Sequence, residues 1–209
     1  MPNYCYGEIL IKGHKDNVDE FVKIMQADYN YYTMEFSHKP HMYRVFSADY
    51  NYENKLEGLM KEACLSFECA WSAYTCMFNG PGSYYYHDSK ELIYGTHVQE
   101  QAKRLQLEIE IYSEEPGAGF QEHYLVDNFG NLIINEEKDD YREIYIDECK
   151  DYNDYLEEYE DYNPISEEEF NTVKNSGDEY YRSGGFENWD FEMDNRKELC
   201  KVILAKVKK

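Results

Sequence analysis

Negative charge is concentrated in one part of this chain, residues 136–194, which carry 22 acidic side chains against 5 basic ones. That segment supplies −17 of the formal net charge of −22. Residues 1–135 carry 20 acids and 10 bases, and residues 195–209 reverse the sign with 6 bases and 1 acid. The acidic segment is also rich in tyrosine, which argues against a tail whose only role is solvation. A charged and aromatic surface of this kind indicates a binding partner.

The composition favours a folded chain and narrows the class of partner. Disordered chains are poor in aromatic residues, whereas this chain is 17% aromatic and contains 23 tyrosines. Its acidity should repel nucleic acid, because binding to phosphates needs lysine and arginine to release counterions. No apolar stretch approaches the ~18 residues needed to span a membrane. The charge therefore predicts a basic protein surface as the partner, such as one that itself binds nucleic acid.

The N-terminal residues lack the basic start and long apolar run of a signal peptide, which predicts a soluble intracellular protein. Six cysteines are present, none of them in a Cys-x-x-Cys pair: Cys5, Cys64, Cys69, Cys76, Cys149 and Cys200. In a reducing compartment they are expected to be free thiols, most of them packed as small apolar side chains.

Hydrophobic periodicity divides residues 1–135 into strands and helices. Strands are predicted at 4–12, 42–48, 64–71, 107–112, 120–126 and 131–135, helices at 15–27, 54–63 and 95–105, and a short extended piece at 84–87. In 107–112 the alternation is strict, with Leu107, Ile109 and Ile111 on a buried side and glutamates on a wet side. The last two strands flank a short loop with glycine and predict a hairpin. The order predicts an α+β fold: a ferredoxin-like split β-α-β antiparallel sheet with both helices on one face and an added β-hairpin.

Three motifs lie in this predicted domain: Met1–Cys5 running into the first strand, Phe67–Ser72, and Leu107–Tyr112 followed by Glu115–Phe120. In combination they resemble the YubB-type ferredoxin-like domain family of plasmids and phages, over residues 1–135. The chain departs from the family at Ala73–Cys76, where the family has prolines. The resemblance implies the same fold in a mobile-element protein, which would be located in the cytoplasm of a bacterial host. Because the family is of unknown function, it implies no catalytic residues.

Tyrosines recur at helical spacing in the acidic segment and predict a helix with an aromatic ridge, ending before Pro164. The ridge consists of Tyr141, Tyr145, Tyr152, Tyr155, Tyr159 and Tyr162, with Leu156 beside them. Ser166 and Glu169 form a capping box that begins another helix, reaching Lys174. Gly184-Gly185 is predicted to be a flexible join, and a last helix is predicted at 195–208. Residues 136–209 are thus predicted to be an acidic, tyrosine-rich, mostly helical extension.

The ridge has three interpretations. In the first, the tyrosines dock their helix on the sheet and the acidic side chains are solvated. In the second, the segment is a disordered acidic tail. In the third, the carboxylates and phenols of the segment imitate a nucleic-acid backbone. We predict the third: an inhibitor of counter-defence type (anti-CRISPR or anti-restriction) that occupies the basic groove of a nucleic-acid-handling host protein. The residues assigned to partner binding are Asp151, Tyr152, Asp154, Tyr155, Glu157, Glu158, Tyr159, Glu160 and Asp161. The alternative function is a general protein–protein interaction module or homodimer that uses its sheet face, with the acids only solubilising it.

The sequence contains no motif that indicates catalysis or a cofactor. His38 and His41 are three residues apart, but without a third ligand at fixed spacing they do not predict a metal site. Gly117–Gly119 lacks the strand-to-helix context of a phosphate loop and predicts a hairpin turn. His123 is expected to be a surface or hairpin histidine rather than a general base. A non-enzymatic protein without cofactor or metal is therefore predicted.

Overall fold

The computed structural model describes residues 4–30, 32–33, 35–42, 44–78, 84–85, 92–93, 95–115, 117–159, 164–177 and 179–186. Its larger part is an α+β domain with a six-stranded antiparallel sheet. In chain order the strands of this domain are β1 (Tyr4–His14), β2 (Tyr29–Asn30), β3 (Glu35–Phe36), β4 (Val45–Lys55), β5 (Met60–Ala70), β6 (Tyr84–Tyr85), β7 (Leu92–Ile93), β8 (Glu108–Glu115), β9 (Phe120–Val126) and β10 (Leu132–Lys138). The helices are α1 (Lys15–Met25), α2 (Ala73–Met77) and α3 (Val98–Leu105). The short strands pair as β2 with β3 and β6 with β7.

The six long strands lie in the order β10-β9-β8-β1-β5-β4, and every neighbouring pair is antiparallel. On the face that the helices cover, Ile9 of β1 lies between Leu65 and Ile111, and all three are buried. Phe21 of α1 and Val98 of α3 belong to the same buried cluster. Burying a side chain of this size stabilises a fold by about 1.5–3 kcal/mol. This layer between the sheet and the helices is therefore the main core.

The structure confirms the elements whose sequence period is unambiguous. The predicted segments 4–12, 15–27, 95–105 and 107–112 correspond to β1, α1, α3 and β8, and the predicted hairpin corresponds to β9 and β10. In β8 the apolar side chains Ile109 and Ile111 are buried as expected. The opposite face of β8 is less exposed to solvent than predicted, because Glu110 is also buried.

The predicted helix at 54–63 is wrong, since these residues form the turn that joins β4 to β5. Gly58 lies in this turn with φ +67, a left-handed conformation that glycine adopts without steric cost. Leu59, predicted on the inner face of a helix, is 58% exposed. The helical spacing of a few apolar residues is overridden here by strand pairing, which extends β5 back to Met60. The predicted strands at 42–48 and 64–71 overlap β4 and β5 at 45–48 and 64–70, and both observed strands are longer than predicted.

A second, smaller core follows β10. It is built by strand β11 (Arg142–Tyr145), helix α4 (Tyr152–Tyr159), helix α5 (Glu167–Ser176) and strand β12 (Tyr180–Ser183), here called the C-terminal module. β11 and β12 pair as an antiparallel ribbon. The buried side chains of the module are Ile144, Ile146, Cys149, Tyr155, Ile165 and Phe170. The tyrosine-rich segment therefore has its own core.

The single helix predicted across Tyr141 to Tyr162 is wrong in its first third. There Ile144 and Ile146 are buried while Tyr145 between them is 44% exposed, which is the period of two that a strand produces. The helix is limited to α4, and Tyr162 lies outside the described residues.

Gly184 and Gly185, predicted to be a flexible join, have a defined conformational role. Both have positive φ, +70 and +72, and a side chain on Gly184 would collide with the carbonyl oxygen of Asp140. The amide of Gly185 donates to the Asp140 carboxylate at 3.0 Å, and the amide of Phe186 donates to Gln121 Oε1 at 2.9 Å. These two glycines therefore let the end of the module lie against β9. The helix predicted at 195–208 lies outside the described residues.

Candidate partner-binding surface

Tyrosine rings build the interior of the C-terminal module. Tyr155 is fully buried, and its ring lies 5.7 Å from that of Tyr152, 5.3 Å from Tyr159 and 5.3 Å from Phe170. The Tyr155 hydroxyl accepts a hydrogen bond from the amide of Ile165 at 2.8 Å, and the Tyr152 hydroxyl donates to the Ile165 carbonyl at 3.0 Å. Aromatic rings with a polar end can fill a core and also fix nearby backbone. The phenols therefore tie the chain preceding α5 to α4.

Two acidic side chains of the module cap α4. Asp151 accepts hydrogen bonds from the amides of Asn153 and Asp154 at 3.0 and 3.1 Å, which is the geometry of an N-cap. Asp154 in turn accepts from the amide of Lys150 at 2.8 Å. Asp151 therefore satisfies two amides that the first helical turn leaves without partners, whereas Asp154 fixes the backbone just before the helix. They stabilise the helix as well as contributing charge.

The capping box predicted for α5 is confirmed. Ser166 accepts from the amide of Glu169, and the Glu169 carboxylate accepts from the Ser166 amide at 3.1 Å. The hydrogen bonds from Ser166 hold the pKa of Glu169 below its ordinary value. Gly177 ends the helix in the left-handed conformation typical of a C-cap.

The other carboxylates of the two helices lie in solvent. Glu157 and Glu158 on α4 and Glu167 and Glu168 on α5 are exposed. Among the side chains that the structure describes, a set that leaves out those of Arg142 and Arg182, no lysine, arginine or histidine forms an ion pair with a carboxylate of the module. Lys174 instead donates to the backbone carbonyls of Cys149 and Lys150. The module therefore presents negative charge that its own described bases do not neutralise.

The structure divides the nine residues predicted to bind a partner. Asp151, Glu157 and Glu158 are exposed, and three others are partly buried: Tyr152, Asp154 and Tyr159. Tyr155 was predicted to be an anchor or a support of the partner-binding surface. Its side chain has no exposed surface, so it supports the helix from within and cannot be an anchor. Glu160 and Asp161 lie outside the described residues.

A groove of about 620 Å³ lies between α4 and α5. Tyr152, Leu156 and Phe170 line it together with asparagine, lysine and acidic side chains from both helices. Sequence reasoning missed this groove because it depends on how α4 and α5 pack. The capping box at Ser166 signalled that a second helix begins, but not where that helix lies.

In the α+β domain one carboxylate is used for structure in a way the sequence does not show. Glu122 is buried and accepts hydrogen bonds from the hydroxyls of Ser113 and Tyr124 at 2.6 and 2.9 Å. It also accepts from the amides of Ala73 and Tyr74, at the start of α2. Burial raises the pKa of Glu122, while these four donors oppose that effect. Glu122 thus attaches α2 to the sheet.

A second polar cluster surrounds His123, which was expected to be a surface or hairpin histidine and lies partly buried in the hairpin of β9 and β10. Its ring stacks on Tyr112 with centroids 4.2 Å apart and lies 2.9 Å from Glu110 through Nε2. The Tyr112 hydroxyl donates to the same Glu110 oxygen at 2.7 Å, and Glu136 lies 3.9 Å from His123 Nδ1. The strand register places these side chains side by side, a contact across strands that single-sequence periodicity does not reveal. The cluster holds the imidazole between two carboxylates.

The two histidines considered as metal ligands have different environments. His38 Nε2 lies 3.2 Å from Glu20, whereas His41 is buried with its ring stacked on Phe36. Burial, with a smaller contribution from Lys39, lowers the pKa of His41 to about 4. Within the described part of the chain, no three His, Cys, Asp or Glu side chains are grouped to hold a metal ion.

The described cysteines are buried, and no disulfide joins any two of them: Cys5, Cys64, Cys69, Cys76 and Cys149. Cys200 lies outside the described residues. The described helices include none that is both long enough and apolar enough to cross a membrane.

Comparison with known proteins returns no match to a family model, to a curated protein or to a solved structure. The function has to be inferred from the residues and their geometry.

Proposed function

We propose that this protein is a non-enzymatic acidic binding protein that occupies the basic, nucleic-acid-binding surface of a host protein. It would act there as a nucleic-acid mimic and inhibitor of counter-defence type. One observation carries the proposal: the exposed glutamates of α4 and α5 have no ion-pair partner among the described side chains, while the tyrosines between them form a core. Negative charge is therefore displayed on a folded scaffold.

The physical argument concerns spacing and rigidity. Double-stranded DNA presents one negative charge per about 1.7 Å of its axis, and a basic groove is shaped to meet such an array. Glu157 and Glu158 on α4 and Glu167 and Glu168 on α5 are each held on a helix whose first turn is capped. Because the carboxylates are held in place before binding, less conformational entropy is lost when a partner engages them. A field of one sign also raises the association rate with a basic surface.

We further propose that residues 1–135 form a ferredoxin-like split β-α-β domain of a phage or plasmid protein, located in the host cytoplasm. The order β8-β1-β5-β4 supports this topology, with α1 between β1 and β4 along the chain and α3 between β5 and β8. The hairpin of β9 and β10 extends that sheet at β8. The buried thiols, none of them joined in a disulfide among the described residues, are compatible with a reducing compartment.

The test is affinity capture from bacterial lysate with the wild-type protein and two variants as baits. In the module variant, Glu157, Glu158, Glu167 and Glu168 are all changed to glutamine. The control variant removes the same number of exposed charges from the α+β domain, through Asp16→Asn, Asp28→Asn, Glu35→Gln and Glu57→Gln. Each bait is used at low and at high salt.

We expect the wild type and the control to capture the same nucleic-acid-binding protein at low salt, and the module variant to lose at least tenfold of that capture. Capture should fall steeply at high salt, because the Debye length shrinks from about 10 Å at 0.1 M to about 3 Å at 1 M. Equal capture by all three baits at both salt concentrations would contradict the proposal.

A second candidate function is a protein–protein interaction module that uses the sheet. It is favoured by exposed aromatic side chains near one end of β1 and β4: Tyr4, Tyr6 and Phe46 are 43%, 51% and 44% exposed. Trp71, with Arg44 4.3 Å from its ring centroid, is also exposed. Binding through these rings would be nearly independent of salt and unaffected in the module variant.

A further inference from the structure

Large aromatic side chains are exposed at the end of the sheet where β1 and β4 begin and β5 ends. Tyr4 and Tyr6 lie on either side of Cys5, which belongs to the buried core, so both point to the face of the sheet away from the helices. The Phe46 ring meets the Tyr4 ring there, with centroids 5.7 Å apart, and Trp71 follows β5 directly. These four exposed residues are here called the aromatic patch. An exposed cluster rich in tyrosine and tryptophan is typical of a protein–protein contact.

Arg44 lies at the rim of the aromatic patch without a carboxylate partner. Its guanidinium is 4.3 Å from the centroid of the Trp71 ring, and it forms no ion pair with any side chain that the structure describes. Both residues have positive φ, +53 for Arg44 and +68 for Trp71, a conformation that costs free energy in residues other than glycine. Stacking therefore holds the guanidinium in place, and its planar set of donors can still bind a carboxylate.

Glu68 supplies a matching carboxylate at the same end of the sheet. It lies between two core residues of β5 and directly opposite Tyr6, so it projects from the face that carries the patch. It is partly exposed and forms no ion pair within the described part of the chain. Along β4, Phe46 lies between Arg44 and Ser47, and Ser47 is the residue opposite Glu68. An unpaired base and an unpaired acid therefore lie on the two sides of the Phe46 ring.

This arrangement is self-complementary under a two-fold axis. In an interface between two copies related by such an axis, residue i of one copy contacts residue j of the other, and j contacts i. With the axis near Phe46, the two Phe46 rings face each other and Arg44 of each copy faces Glu68 of the other. Arginine and a carboxylate can form two parallel hydrogen bonds, which would fix the alignment of the copies. The surrounding rings would exclude water from both ion pairs.

The net charge of −22 opposes the association of two copies, but most of it belongs to a segment attached far from the patch. Residues 136–194 supply −17, and the C-terminal module within them meets the sheet at β9 through Phe186. β9 is four strand positions from β4, or about 19 Å at the usual spacing between strands. That distance is about two Debye lengths at 0.1 M salt, so repulsion between the modules is weakened by screening at the patch.

We propose that this protein forms a two-fold symmetric dimer through the aromatic patch, with Arg44 of each copy paired to Glu68 of the other. A second copy fits better than a foreign protein because the patch itself supplies both members of the ion pair. A foreign partner would need an acid and a base in the same arrangement around its own apolar surface. The proposal does not rest on the function proposed for the C-terminal module, since it uses no residue of 136–194.

Sedimentation velocity of the full chain over a series of concentrations measures the dissociation constant of the dimer, and charge reversal locates its interface. Arg44→Glu and Glu68→Arg each place like charges opposite one another in both pairs, so each should weaken the dimer at least tenfold. The double variant restores opposite charges across the axis and should recover the wild-type dissociation constant to within threefold. A chain that stays monomeric at every concentration, or a dimer that neither reversal weakens, would overturn the proposal.

Two exposed charges at the opposite end of β4 provide matched controls. Lys55→Glu and Glu57→Arg change the net charge by the same amounts as Arg44→Glu and Glu68→Arg, and both should leave the dissociation constant unchanged. Equal weakening by these controls would overturn the proposal, and so would a double variant that dimerises no better than either single reversal. No external partner and no residue of the module is involved, so failure here leaves the proposed function of the module standing.

Discussion

The α+β domain and the C-terminal module are built from similar residues but place them in opposite ways. In the domain, Glu122 is buried among four donors and Glu110 is held by Tyr112 and His123, while Tyr6 and Phe46 are exposed. In the module Tyr155 is buried, Tyr152 and Tyr159 pack against it, and the glutamates of α4 and α5 are exposed. The difference shows that acidity by itself does not identify a binding surface. What matters is whether the fold already uses the carboxylate.

The largest expected effect comes from removing the ring at the centre of the module. Tyr155→Ala should destabilise the module by about 3–5 kcal/mol, because it leaves a cavity in a small core and frees the Ile165 amide. Amide hydrogen exchange should show lost protection in 142–183 and retained protection in β1 and β5. Unchanged protection in the module would contradict its separate tyrosine core.

A smaller effect is expected from the buried carboxylate of the domain. Glu122→Ala leaves two hydroxyls and two amides without their acceptor and should lower the free energy of unfolding by about 3 kcal/mol. Chemical denaturation followed by fluorescence measures this. A loss below about 1 kcal/mol would mean that α2 is attached to the sheet by other contacts.

A still smaller, pH-dependent effect is expected at Glu108 in β8. Because the pKa of Glu108 is raised in the folded state, ionising it opposes folding at neutral pH. Glu108→Gln should therefore stabilise the protein at pH 7, by less than about 1 kcal/mol after solvent screening. The gain should disappear as the pH falls through the ordinary carboxyl range, where wild-type Glu108 is protonated in both states. Denaturation at several pH values checks this, and a gain that grows on acidification would contradict it.

The smallest effect is expected where the module displays its charge. Glu157→Ala should change stability by no more than about 0.5 kcal/mol, because the side chain is exposed and has no described ion-pair partner. Chemical denaturation of the Glu157→Ala and Glu122→Ala variants side by side compares their losses in free energy of unfolding directly. A loss as large as that of Glu122→Ala would mean that the module's acids are structural as well, and the contrast between the two regions would fail.

The spacing of apolar residues along the sequence correctly predicted the strands and helices in which that spacing is regular. The alternation of Ile109 and Ile111 and the spacing of Val18 and Phe21 correctly indicated β8 and α1. The same logic failed at Leu59, where strand pairing around Gly58 overrode a helical spacing. It also failed at Tyr145, whose neighbours Ile144 and Ile146 follow the period of a strand.

The site was only partly predictable because its decisive contacts are long-range. Glu122 meets the amide of Ala73 across 49 residues of sequence, and no local pattern marks that contact. Ser166 and Glu169 were recognised because a capping box is local. In the module, the packing of α4 against α5 turns the rings inward and the glutamates outward. A local sequence pattern does not show that packing.

The central claim is that the module's exposed carboxylates compete with nucleic acid for a basic surface. The most direct measurement is displacement of a short labelled DNA duplex from the purified captured protein, followed by fluorescence anisotropy. The wild type and the Asp16/Asp28/Glu35/Glu57 control should displace the duplex equally, and the Glu157/Glu158/Glu167/Glu168 variant should need at least tenfold more protein. A captured protein that holds the duplex and the wild-type protein at the same time would contradict the account.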